Sequence, residues 1–209
     1  MSKLFLSSYF SDVASLFFNF TKEDCVGKKV AFIPTASLSE KITFYVGVDK
    51  KALQKLGMVV EDLEISKASS DEITTKISCA DYVFVSGGNT FFLLQELKRK
   101  GADKMIIEHI NEGKLYIGSS AGSVILSKDI GYVSSMDSPK AAPDLNGDFS
   151  ALSVIDFYIV PHLTNFPFKI VAGKVVKEFS DTLDIRAISN NQAIIVDGDK
   201  VETLIAKRF

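Results

Sequence analysis

Lys114-Leu-Tyr-Ile-Gly-Ser-Ser-Ala-Gly-Ser-Val-Ile-Leu126 is the stretch on which the fold turns: a short apolar run enters Gly118-Ser119-Ser120-Ala121-Gly122 and leaves it as an apolar helical start. A strand that turns abruptly into a helix strains the backbone of its turn residue, and small neighbours keep other side chains away from it. Ser120 sits at that turn. The pattern predicts a nucleophile elbow, with the Ser120 hydroxyl above the carboxyl edge of a sheet. The helix behind it would offer free N–H groups and a positive dipole end to a developing oxyanion. This spacing suits acyl transfer.

Outward from the elbow, strand and helix patterns alternate. Lys3 to Ser8 is an apolar run followed by an amphipathic segment from Phe10 to Phe20, with Val13, Leu16, Phe17 and Phe20 near helical spacing. Lys28 to Ala36 repeats the pattern as a continuous apolar run, typical of a parallel strand buried on both faces, and a helix follows to about Leu56, stopped by Gly57. Further strands are predicted at Val59 to Ile65 and Asp81 to Ser86, separated by a helix capped at Ser69 or Ser70. Helices over Phe91–Lys100 and Ala102–Asn111 then lead into the elbow strand. Such alternation implies a three-layer α/β fold, its sheet mainly parallel with helices on both faces, and ligands at the carboxyl ends of the strands. Beyond Leu126 the pattern changes. Ile130 to Ser134 reads as extended, Ser135 to Ser150 as a loop long enough to suggest function, and Phe157 to His162 as another strand of the sheet. A helix over Ile170–Phe179 precedes a closing antiparallel meander of Ile185–Ile188, Ala193–Val196 and Lys200–Ala206, with Asp197-Gly198 as its hairpin turn.

No composition break or linker divides the 209 residues, so residues 1–209 read as one domain, and 46% hydrophobic residues supply a large core. A net charge of -2 gives no basic field, which argues against nucleic acid as a partner. No stretch approaches the ~20 apolar residues of a membrane span, and the amino-terminal apolar run is too short for a signal peptide. Cys25 and Cys79 provide neither a disulfide framework nor a structural metal site, and a reduced, cytoplasmic setting is expected.

A serine nucleophile needs a base, and the chain has two histidines. His109 ends the helix before the elbow strand and is expected at the amino edge of the sheet, roughly 15 Å from Ser120 at ~3.3 Å per residue, as a solvated or interface histidine. His162 follows a strand directly and is expected on the same carboxyl edge as Ser120. At the neighbouring edge, Gly87-Gly88-Asn89-Thr90 lets backbone approach a ligand closely. The Gly88 and Ala121 N–H groups are then the expected oxyanion donors, with Asn89 and Thr90 as substrate-binding residues.

Three segments together, Ser86-Gly-Gly-Asn-Thr-Phe-Phe-Leu-Leu94, Leu115-Tyr-Ile-Gly-Ser-Ser-Ala-Gly122 and Val160-Pro-His-Leu-Thr-Asn165, give the sequence a close resemblance to the peptidase E family of serine peptidases, which includes aspartyl dipeptidases and cyanophycinases. The resemblance covers most of the chain. It implies a flavodoxin-like or class I glutamine-amidotransferase-like fold, Ser120 as nucleophile, His162 as general base, and no metal or organic cofactor. The implied substrate is a short peptide, such as an Asp-Xaa dipeptide or a β-aspartyl linkage. For the third triad member the family offers two positions: Asp137 fits the first, whereas the second holds Asn190, an amide without charge, so Asp137 is the expected residue. Asp144 and Asp148 share its loop. A carboxylate substrate is usually received by arginine, and the chain has only Arg99, Arg186 and Arg208, none obviously beside the expected site; Lys169 and Lys174 follow the histidine loop. The rival expectation is a non-catalytic small-molecule binding module on the same fold, and a homo-oligomer is left open.

Overall fold

The computed structural model describes residues 2–207. In chain order the elements are β1 (Lys3–Ser7), α1 (Phe10–Thr21), β2 (Lys29–Ile33), α2 (Phe44–Lys55), β3 (Val59–Asp62), α3 (Ser70–Cys79), β4 (Tyr82–Val85), α4 (Thr90–Lys100) and α5 (Ala102–Asn111). They continue as β5 (Leu115–Ser119), α6 (Ala121–Val124), β6 (Tyr158–Val160), α7 (Lys169–Phe179), β7 (Ile185–Ala187), β8 (Gln192–Asp197) and β9 (Lys200–Ile205). Seven strands form the main sheet in the order β3-β2-β4-β5-β1-β8-β9. The first five run parallel; β8 joins β1 antiparallel and β9 closes the hairpin.

Alternation along each central strand divides the core between the two faces of the sheet. Leu4, Leu6, Ala31, Ile33, Val83, Val85 and Tyr116 pack on one side with apolar residues of α3, α4, α5 and α7. Phe5, Val30, Phe32, Phe84, Leu115 and Ile117 pack on the other with α1 and Leu53 of α2. Because both faces are covered, β4 and β5 are buried at every position and read as continuous apolar runs. Phe32 and Phe84 stack 4.9 Å apart at 7° across neighbouring strands, joining β2 to β4 where the carboxyl edge carries two of the site's loops.

Helix ends follow their cap residues. The Ser69 side chain accepts from Glu72 N–H at the start of α3, and the Asn89 side chain accepts from Phe92 N–H at the start of α4. Four expectations change. The helix behind the elbow, α6, is a single turn of four residues, so it contributes close N–H groups but little macrodipole. The Ile130–Ser134 segment is not extended; it contains a 3-10 turn at Gly131–Val133, in which Tyr132 is buried and donates to the Ile159 carbonyl. The Phe157–His162 strand does not join the main sheet: β6 pairs in parallel with β7 in a separate two-stranded sheet, which also removes β7 from the expected meander. The hairpin turn falls at Gly198-Asp199, since Asp197 pairs with Lys200.

Candidate functional site

The carboxyl ends of β1 and β5 lie side by side, with Ser7 opposite Ser119, and Ser120 N–H donates to the Ser7 carbonyl at 2.9 Å. The chain then folds back at once into α6. The reversal places Ser120 at φ 51 and ψ -110, a combination that a residue with a Cβ adopts only under constraint from its surroundings. Those surroundings are tight. A Cβ on Gly122 would stand 2.1 Å from the Val85 carbonyl oxygen, so α6 can lie against β4 only because position 122 is glycine. The Tyr116 hydroxyl donates to the Gly122 carbonyl at 2.6 Å from beneath, holding the turn to its own strand.

His162 reaches Ser120 from the satellite sheet, with Ser120 Oγ 2.9 Å from Nε2. The imidazole is held on every side. Its backbone N–H donates to Ser8 Oγ, Ser8 in turn donates to the Ile188 carbonyl, and the ring stacks on Phe168 at 4.9 Å and 24°. On the far side Nδ1 lies 2.8 Å from Asn190 Oδ1. An amide oxygen only accepts, so Nδ1 carries the proton and the Nε2 lone pair faces the serine hydroxyl. Asn190 is fixed through its backbone N–H, which donates to Asn165 Oδ1 at 2.9 Å. Burial pushes the His162 pKa down, and the hydrogen bond that Nδ1–H donates to Asn190 only partly opposes this, so the ring is neutral at neutral pH.

Asp137, expected beside the imidazole, is elsewhere. Its Oδ2 accepts from Thr90 N–H at 2.9 Å and from Thr90 Oγ1 at 2.5 Å, which ties the loop after the elbow to the first turn of α4. Burial pushes its carboxyl up to about 6 despite these bonds. The group on Nδ1 is Asn190, set aside in the sequence for want of charge. Asp144 follows Pro143 in a 3-10 turn where its N–H donates to Gln95, and Asp148 pairs with Lys98; neither meets the imidazole. Asn89 and Thr90, expected to touch substrate, are 4% and 1% exposed. Their side chains are committed to the fold, since Asn89 Nδ2 donates to the Ser138 carbonyl while Thr90 donates to Asp137.

The expected oxyanion donors do lie at the edge. Gly88 has φ 136, and a Cβ there would stand 2.2 Å from the Ala36 backbone, so only glycine lets this loop pass the end of β2. Among the described residues, neither Gly88 N–H nor Ala121 N–H has an acceptor within the protein. Gly87, next in line, lies against Ser120: a Cβ placed on it would be 3.1 Å from the serine Cβ and 3.6 Å from the Tyr45 ring. His109 is at the amino end of β5, where Nε2 lies 3.2 Å from the Leu115 carbonyl, but it is buried rather than solvated.

No arginine reaches this edge among the described residues. Arg99 lies toward the far end of α4, on Glu96 and the Ser66 carbonyl, and Arg186 lies over the Phe157 ring; Arg208 is outside the described residues. Lys169 and Lys174 are exposed on α7. The flanking segments mix charged and apolar groups, with Glu40 and Lys41 exposed among them. Leu38, Ile42, Phe44 and Phe166 are exposed on the segments flanking the serine and histidine loops.

A constrained serine at the end of a parallel strand, bonded to an imidazole whose other nitrogen is held by a side-chain oxygen, is the arrangement of the serine hydrolases. The sequence matches the model of peptidase family S51 over residues 1–204, and the chain belongs to that family; it is a peptidase. It is 52% identical over 203 residues to the uncharacterized peptidase Lmo0363 of Listeria monocytogenes, covering 97% of this chain and 98% of that one. Peptidase E of Haemophilus influenzae is 33% identical over 139 residues, or 66% of this chain and 60% of the relative. A crystal structure described as a candidate Peptidase E protein from Listeria monocytogenes EGD-e superposes with a TM-score of 0.94 at 51% identity, covering 99% of this chain and 100% of that one.

Proposed function

We propose that the chain is a serine peptidase of dipeptidase type, in which Ser120 is the nucleophile, His162 the general base and acid, and Asn190 the group that orients the imidazole. The reading is carried by one observation: Ser120, in strained backbone geometry, has its Oγ 2.9 Å from His162 Nε2. Ser120 attacks the scissile carbonyl as its proton passes to Nε2. The Gly88 and Ala121 N–H groups receive the oxyanion. His162 then protonates the leaving amine, and water releases the acyl group by the reverse path. Asn190 performs the tautomer-fixing part of the third residue's task, as asparagine does in the Cys-His-Asn variants, but gives no charge to the imidazolium.

The substrate is a short peptide with a free amino terminus. With no arginine fork at the site, a lysine is left to receive an Asp side chain at the first position, which is then favoured only modestly, by about fivefold in kcat/KM over Asn, the scale of a partly exposed ion pair. A serine-directed fluorophosphonate probe tests the nucleophile directly. Labelling of the wild type that disappears in Ser120→Ala is expected; an unlabelled wild type would refute Ser120 as the nucleophile.

A further inference from the structure

One buried carboxylate stands against the elbow on the face away from the histidine path and has no part in the chemistry above. Asp49, in the middle of α2, is fully buried. Its Oδ2 accepts from Ser119 Oγ at 2.8 Å, and its Oδ1 accepts from Ser11 N–H at 2.9 Å. Ser119 Oγ also receives Phe10 N–H at 3.3 Å. The first turn of α1, whose N-cap residue Tyr9 provides no side-chain cap, is therefore capped across space by a serine of β5 and an aspartate of α2. Among the described residues no cation pairs with Asp49. A neutral side chain could cap α1 as well without the desolvation cost of a carboxylate, so capping alone gives no reason for the charge.

The bond to Ser119 gives such a reason. Ser119 is the last residue of β5 and the immediate neighbour of Ser120. We propose that Asp49 is a positioning residue for Ser120: by holding the Ser119 hydroxyl as a donor it fixes the end of β5, and the ionisation of its carboxyl, acting through Ser119, adjusts the reactivity of the neighbouring serine. This rests on Ser120 being the nucleophile.

The donor and acceptor inventory shows how the adjustment works. Ionised Asp49 accepts on both oxygens, from Ser11 N–H and from the Ser119 hydroxyl. A proton on Oδ1 would oppose the Ser11 N–H, so a protonated Asp49 carries its hydrogen on Oδ2 and donates to Ser119 Oγ. The Ser119 hydroxyl hydrogen must then leave its acceptor and rotate, and the residue before the elbow changes its hydrogen bonding. Burial pushes the Asp49 carboxyl up to about 7, opposed by the bonds from Ser119 and Ser11, so the switch falls near neutrality. The charged and titratable groups that bear on it are Asp12 and Tyr9 from the α1 side and Tyr45 one turn earlier on α2, while Lys50 is turned away to Asp62.

Asp49→Asn mimics the protonated form, since Oδ1 can still accept from Ser11 N–H while the amide nitrogen donates to Ser119. Two readouts separate positioning from simple structural support. In a His162→Ala background, the backbone amide resonances of Ser119 to Ala121 are followed from about pH 5 to about pH 9, a window that brackets the Asp49 carboxyl. They should titrate near neutrality, and the inflection should vanish in His162→Ala/Asp49→Asn, which leaves Asp137 as the internal control for a carboxyl titrating elsewhere. In the wild type, the fluorophosphonate labelling rate of Ser120 should carry the same inflection, differing at least threefold across it. Asp49→Asn and Ser119→Ala should both lose that inflection, and Ser119→Ala decides the matter if Asp49→Asn fails to fold. Amides that do not titrate in His162→Ala, or an inflection that survives in both variants, would overturn the proposal. Absence of labelling in the wild type would refute Ser120 as the nucleophile alone, because the amide titration still tests the link from Asp49 to the elbow.

Discussion

Replacing Asn190 by aspartate should raise the acid limb of the pH–rate profile, because it puts a charge where the wild type has only a dipole. Asn190 Oδ1 lies 2.8 Å from His162 Nδ1, and aspartate is isosteric, so the bond and the tautomer both survive the change. What changes is the field at the imidazolium. Charge centres ~4 Å apart interact by ~4 kcal/mol at an effective dielectric of ~20. Asn190 is only partly buried, and the new carboxylate bears some desolvation cost, which leaves roughly 1.5–3 kcal/mol, or about 1–2 pH units at ~1.4 kcal/mol per unit. The sign follows from protonation: His162 sits below its ordinary range through burial, its protonated form is inactive as a base, and a carboxylate favours that form. The acid limb of kcat/KM should therefore move up by about 1–2 units. Above that limb the variant should be faster than the wild type, by about tenfold, since the same charge stabilises the imidazolium of the transition state. Profiles of dipeptide hydrolysis or of fluorophosphonate labelling from acid to alkaline pH measure both effects. An unmoved acid limb would show that Asn190 is not the imidazole's partner during turnover.

His162→Ala should remove nearly all turnover, whereas His109→Ala, at the opposite end of β5, should leave kcat/KM within a few-fold while lowering stability through the cavity it opens; comparable activity losses at both would refute the geometry. Asp137→Ala should act on the fold, since it strips the acceptor from Thr90: a loss of about 1–3 kcal/mol, or ~3–10 °C in Tm, is expected by calorimetry, with the Ser120 labelling rate near that of the wild type below the transition. The Asp137 carboxyl is raised to about 6, so the folded state holds more protons than the unfolded state between about pH 4 and pH 6. Its contribution to stability falls as pH rises through that window, and Asp137→Asn should flatten that part of the Tm–pH curve. A panel of Xaa-Leu dipeptides and β-aspartyl peptides should show the modest Asp preference weakening in high salt; a preference above about a hundredfold that survives salt would require a buried cation at the site.

The parallel half of the sheet was legible because each buried strand is a continuous apolar run closed by small residues, and Ser120 was legible because glycine and serine crowd one strand-to-helix junction. His162 was placed correctly at Ser120 through an incorrect intermediate. The apolar run from Phe157 to Val160 looks the same whether it pairs within the main sheet or with β7, because burial on both faces leaves no periodicity to tell the two apart. Asn190 is hard to see in the sequence for a chemical reason: the third position of a triad is ordinarily a charged group, whereas an oxygen that accepts from Nδ1 suffices to set the tautomer. Ser189-Asn190-Asn191 otherwise looks like turn chemistry. Asp137 had the right residue type in a suitable loop, but its carboxylate is used by the first turn of α4. Asp49 did leave a signal, since it lies four residues before Leu53, the other buried position of α2, and so on the helix's inward face.

Ser120 rides on the seven-stranded sheet, while His162 rides on the two-stranded sheet, which packs on the shared core through Ile159 and Val160 and is tied to the end of β1 by the bonds of Ser8 to His162 N–H and to the Ile188 carbonyl. The two halves of the proposed pair thus belong to structural units of unequal robustness, and a small sheet of two three-residue strands opens locally at lower free energy than a central one. Warming should therefore extinguish Ser120 labelling while the far-ultraviolet circular dichroism of the main fold is still intact, and the amides of β6 and β7 should exchange with deuterium well before those of β4 and β5. The heat tolerance of the activity is then set by the satellite sheet, so substitutions that strengthen β6, β7 or α7 should extend the working temperature without raising the melting point of the whole protein.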